Sequence, residues 1–158
     1  MPVEIPDLWP ASLQVDVLAP LPLLRAQGEK LGERTRGILE GEVQTIPLPD
    51  EKNVQHHFQV LAPALGIRYD ILTVEHQREM PYPVKVGAAC IPRLNPPQGT
   101  FWETDGTTEE RRIVVPTEPL FRQLVQAVFS STEVQSLLDS LIARSNEIQL
   151  PRGEVRGE

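Results

Sequence analysis

Residues 54–76 read VQHHFQVLAPALGIRYDILTVEH, and this stretch decides the fold. Val54, His56, Phe58 and Val60 fall on alternate positions, the period of a strand with two distinct faces. The short Ala62–Gly66 connection leads into Ile67–His76, a run rich in Ile, Tyr, Val and Thr that reads as a second strand. So short a link favours antiparallel pairing, because a parallel crossover needs a dozen residues or more. Setting Phe58 and Val60 against Ile71 and Tyr69 gives the better apolar face, and that register predicts His57, not His56, beside His76.

The same period continues outward. Ile38–Ile46 alternates, with Leu39, Gly41, Val43 and Thr45 on one side and Glu40, Glu42 and Gln44 on the other. Pro83–Ala89 predicts a fourth strand and Ile113–Val115 a fifth, while Asp105-Gly106 is a turn signal for a small hairpin. The chain holds 16 prolines, which end ladders and are tolerated at first turns and edges, so they mark where elements begin and stop.

Helical spacing brackets the strands. Leu24, Gly28, Leu31 and Thr35 form a stripe over about Leu21–Arg36, with Gly37 as the C′ residue. Gly28 costs a helix roughly 1 kcal/mol relative to alanine. Its position in mid-stripe predicts that the helix backbone lies close to a sheet. After Pro116 the period changes. Thr117 reads as the cap of a helix burying Phe121, Leu124 and Val128, and Ser130 with Glu133 as a capping box stapled by Phe129 and Val134. Val134, Leu137, Leu138, Leu141 and Ile142 give the last helix its stripe. The sum is an α+β fold: an N-terminal helix, an antiparallel meander of four to five strands, and two C-terminal helices. Residues 1–19 form an irregular arm, 20–146 one domain, and 147–158 a mobile tail.

A net charge of −7 with scattered basic residues opposes binding to phosphate backbones, so no nucleic-acid partner is expected. The longest apolar run, Val17–Leu24, is far too short for a membrane span, and the N-terminus has no basic flank followed by an apolar core. With a single cysteine, Cys90, these features predict a cytoplasmic protein that does not engage membranes. Pro22-Leu23-Leu24-Arg25 with Gln27, Leu31-Gly32, Thr35, Gly37 and Gly41-Glu42-Val43 resembles the opening of a group of small uncharacterised bacterial proteins. Tyr82-Pro83-Val84 and the Leu141–Asn146 helix end are similar to the same group. The resemblance implies a bacterial origin and one compact domain, and it implies no activity.

No phosphate-binding loop, nucleophile elbow or H-E-x-x-H motif is present. Cys90 follows a predicted strand and reads as a small buried hydrophobe. The three histidines read as surface or edge residues; in a second reading His57 and His76, with Asp70, line a metal-binding or catalytic cleft. Trp9, Phe101 and Trp102 fall in segments without periodicity. There they serve either as anchors for a partner or, for Phe101 and Trp102, as a lid over the core. The expected function is a non-catalytic binding or accessory protein acting through a protein surface, toward a protein partner or a homo-oligomer, with no cofactor. The alternative is a small enzyme or metal-binding domain built on the strand histidines.

Overall fold

In the computed structural model, which describes residues 3–11, 13, 15–104 and 111–149, the prolines sit where the chain changes state. Pro20 opens helix α1 (Pro20–Arg34), Pro47 ends strand β1 (Glu40–Pro47), and Pro63 starts the tight turn between β2 (Asn53–Ala62) and β3 (Ile67–Gln77). Then come β4 (Val84–Gly87), β5 (Phe101–Thr104), β6 (Arg111–Val115), α2 (Glu118–Phe129) and α3 (Thr132–Gln149). The fold is α+β, with an N-terminal helix, one antiparallel sheet and two C-terminal helices. The sheet has six strands in the order β1-β2-β3-β4-β6-β5. The extra strand is β5, and the meander breaks there: the β5–β6 hairpin joins through its second strand, so β6 lies between β4 and β5.

The expected close approach of α1 is present and has a partner on the sheet. A Cβ added to Gly28 would lie 2.5 Å from the Gly41 carbonyl oxygen, and one added to Gly41 would lie 2.4 Å from the Gly28 Cα. Two glycines therefore let helix and strand touch backbone to backbone. The Phe58 ring packs beside Gly41 and stacks, tilted, against Phe129 at the end of α2, with centroids 5.1 Å apart. The core continues through Leu24, Leu72, Val74, Val86, Ile113, Phe121 and Leu124, all buried, and Cys90 is buried among them as expected.

Two of the helix caps differ from the sequence reading by one residue. The C′ residue of α1 is Arg36 (φ 55°), and Gly37 follows it, also at positive φ (81°). The Arg36 and Gly37 N–H groups bond back to the Glu33 and Gly32 carbonyls, a Schellman pattern. The cap of α3 is Ser131, not Ser130: its hydroxyl accepts the Val134 N–H and donates to the Val128 carbonyl. That leaves Glu133 free to pair with Arg93. Thr117 makes no side-chain cap. α3 runs on to Gln149, past Asn146; the Asp105-Gly106 turn and the tail from 150 onward lie outside the described residues.

The β2–β3 register also departs from expectation. Phe58 faces Leu72, yet Gln59 faces Asp70, so Ile71 is an extra, bulged residue on β3. The bulge lets both Ile71 and Leu72 bury where strict alternation would have exposed one of them. It also reverses the phase of β3 beyond it. His76 therefore joins His56 on the helix-covered face, and His57 falls on the open face. This corrects the predicted pairing of His57 with His76.

The two helical glycines make opposite predictions. Gly28→Ala should lower stability by about 1–3 kcal/mol in urea unfolding, because overpacking against backbone outweighs a helix-propensity gain of about 1 kcal/mol. A Cβ on Gly32 would meet only the Leu39 carbonyl oxygen, at 3.9 Å, so Gly32→Ala should stabilise by up to about 1 kcal/mol. A stabilised Gly28→Ala would refute the backbone contact.

Candidate functional site

Chemistry-bearing residues collect in three places: the N-terminal arm, the helix-covered histidine pair, and the open face of the sheet. The arm carries Val3, Ile5, Leu8, Trp9, Leu13, Val15 and Val17, all exposed, with Trp9 at 75 %. Its only described internal order is local, with the Asp7 carboxylate accepting the Trp9 N–H (3.0 Å) and the Pro10 carbonyl accepting the Leu13 N–H (3.1 Å). Its root is fixed. The Leu18 carbonyl accepts the Tyr82 hydroxyl (2.8 Å), and the Leu18 N–H donates to Glu118 (2.7 Å). Glu118 is only 7 % exposed and is also bonded to Arg122. Burial, with the Glu118 carboxylate nearby, pushes the Tyr82 phenol up, so it stays a donor. This clamp joins residues far apart in the chain, which no local pattern announces. The arm's exposed apolar residues could have been suspected from the absence of any periodicity that would bury them.

His56 and His76 form a closed relay. The Gln77 carbonyl lies 2.7 Å from His76 Nδ1, which must therefore carry the proton. His76 Nε2 then accepts from His56 Nε2–H (2.8 Å), and His56 Nδ1 accepts from the Thr45 hydroxyl (2.8 Å). Every position is satisfied with both rings neutral. Burial, then His76 and Arg25, hold the His56 pKa down at about 4. Alternation alone places His56 on the other face from His76; the Ile71 bulge brings the two together.

On the open face, side chains from three strands form a chain of contacts. Arg68 reaches Glu42 and donates to the Gln59 amide oxygen, and the Gln59 amide donates to Asp70 (2.6 Å). Asp70 lies 3.7 Å from His57 Nδ1, whose Nε2 bonds to the Gln55 amide oxygen. β4 pairs with β3 only at Thr73–Glu75. Where β4 ends, a broad groove of about 880 Å³ opens between His57, Asp70 and Thr73 on one side and Arg111 and Arg112 on the other. Arg112 is paired with Glu75, and the Thr73 hydroxyl donates to the Gly87 carbonyl (3.4 Å). The groove can hold a polar group, and its imidazole lies between the Asp70 carboxylate and the Gln55 amide oxygen. Of the residues read as a cleft, His57 and Asp70 are together and His76 is on the opposite face. Among the described residues no three His, Cys, Asp or Glu side chains converge to hold a metal ion.

Phe101 and Trp102 lie on β5, a regular strand, and so point to opposite faces. Trp102 packs against the core with the Arg111 guanidinium 5.8 Å from its ring centroid. Phe101 stands 57 % exposed on the open face, opposite Val114. The two rings therefore part company: Trp102 meets the core and Phe101 stays in solvent. Trp102→Ala should therefore cost about 2 kcal/mol of folding stability and Phe101→Ala less than about 0.5 kcal/mol in chemical denaturation; equal losses would contradict this division.

The histidine relay predicts a pH dependence. Unfolded His56 titrates near its ordinary 6.5 and folded His56 near 4, so the folded state binds fewer protons between these values. The stabilisation is whole above pH 6.5 and is lost as pH falls toward 4, on the order of 3 kcal/mol. Subtracting the stability profile of His56→Leu from that of the native chain should expose this slope; parallel profiles would reject the relay.

Compared with protein-family models, curated proteins and solved structures, the chain matches none.

Proposed function

We propose that this chain is a non-catalytic protein-binding module whose contact element is the N-terminal arm, with Trp9 as anchor and Phe101 as a further exposed aromatic. The observation that carries this reading is the arm itself: a run of large apolar side chains left in water on a root held by two long-range hydrogen bonds. Exposed apolar surface of this extent marks interaction sites, and a segment that orders on contact can cover a large partner surface. The arm is acidic, with Glu4, Asp7 and Asp16 and no basic residue before Arg25, so its partner surface should carry positive charge. The net charge of −7 argues against nucleic acid. No described helix is long and apolar enough to cross a membrane, and the lone buried thiol Cys90 suits a reducing compartment, so we assign the chain to the cytoplasm. A metal or catalytic role for His57, His76 and Asp70 has weaker support, because the sheet separates His76 from the other two.

Deleting residues 1–17 should leave the melting temperature within a few degrees of the full chain, since every described side chain among them is exposed. The same deletion should abolish protein association, whether measured as self-association by light scattering or as capture of a partner by the immobilised chain. Trp9→Ala alone should weaken association at least tenfold, as expected for an aromatic anchor. Association unchanged by the deletion would sink the proposal.

A further inference from the structure

Building on the arm as the binding element, we infer that its partner is a second copy of this chain, each arm docking in the furrow between α1 and α3 of the other copy. α1 packs on β1, while α3 packs on β2 and the turn that follows it. The two helices straddle a gap floored by Phe58 and Ile71 and walled by Phe129 and Leu138. The gap holds about 150 Å³, a space that in an apolar cavity of similar lining admits benzene. It suits one large side chain, and Trp9 is the largest on the arm. Its rim is polar, with Arg34 on one lip and Gln135 on the other.

Charge complementarity selects the occupant. The arm contributes Glu4, Asp7 and Asp16 without a compensating cation, whereas α1 and its cap present Arg25, Lys30, Arg34 and Arg36 against Glu29 and Glu33. With Trp9 in the furrow, Asp7 comes to the Arg34 lip. Reach is sufficient, since the eleven residues from Trp9 to Pro20 span up to about 36 Å extended and α1 is only about 21 Å long. The arm could thus cover the furrow of its own chain, yet Trp9 is exposed and does not line it. A two-fold axis that sets α1 antiparallel to its counterpart brings each arm root beside the other copy's Arg34. The exchange is then reciprocal and closed.

Disulfide trapping tests this, because the single native thiol, Cys90, is buried. A Pro10→Cys chain mixed with a Gln135→Cys chain should give a covalent heterodimer under mild oxidation. Trp9→Ala should raise the dimer dissociation constant at least tenfold in sedimentation velocity. Arg34→Glu should do the same, and adding Asp7→Arg should restore the native value; circular dichroism confirms that each variant is folded. A disulfide that forms only when both cysteines are in one chain would overturn the exchange in favour of self-docking. A native chain that stays monomeric while its arm captures another protein would overturn the partner assignment and leave the binding reading standing. A monomer whose arm captures nothing would overturn both.

Discussion

The contact of Gly28 with Gly41 is the constraint from which the helical layer takes its position. An ordinary helix rests on a sheet through side chains, but here backbone meets backbone, and either Cβ would collide with main-chain atoms. Main chain cannot yield as a side chain can, so the separation of α1 from β1 has almost no freedom. Gly41 also makes room for the Phe58 ring, and Phe58 meets Phe129. One close approach on the sheet edge is in this way relayed through an aromatic pair to the end of α2, where α3 begins. The Thr35 hydroxyl locks the other end of the same unit by accepting the Leu39 N–H and donating to the carbonyl of Leu31.

The two faces of the sheet are stabilised by different physics. The covered face buries aliphatic and aromatic groups and carries a histidine pair, His56 buried and His76 half-buried, whose ring nitrogens all have partners. The open face is tied by charge-assisted contacts, including Lys85 with Glu103 and Arg112 with Glu75. Those exposed or half-exposed pairs add little stability individually. Their value is in register: opposite charges sit across from one another only in the observed alignment, and a slip of one residue would send Arg68, Asp70 and Glu75 toward the core.

Periodicity in the sequence was enough to read the α+β class, the position of nearly every element and the role of Gly28, because each depends on residues a few positions apart. What escaped depended on single insertions or on distant partners. The bulge at Ile71 arises because two adjacent aliphatics both gain by burial, and its effect is to exchange the faces of His56 and His57 relative to His76. The place of β6 between β4 and β5 depends on which strand of a hairpin meets the sheet, a choice that alternation does not encode. Trp102 looked like a loop residue because β5 has only four residues, too few to show a period. Of the candidate site, the aromatics were legible by type, while the clamp of Tyr82 and Glu118 on Leu18 was invisible, its members lying 64 and 100 positions from their partner.

The position of β6 also divides the molecule in time. β1, β2 and β3 pair with their sequence neighbours across short turns, so loop closure costs little and this half can form early. β4 pairs with β3 through only three residues and gains its second neighbour only when residues 111–115 are in place. During synthesis β4 would therefore leave the ribosome with one edge unsatisfied and wait for a segment some thirty residues behind it. A growing chain in that interval exposes a strand edge together with an uncovered apolar face, the condition in which nascent proteins most depend on chaperones.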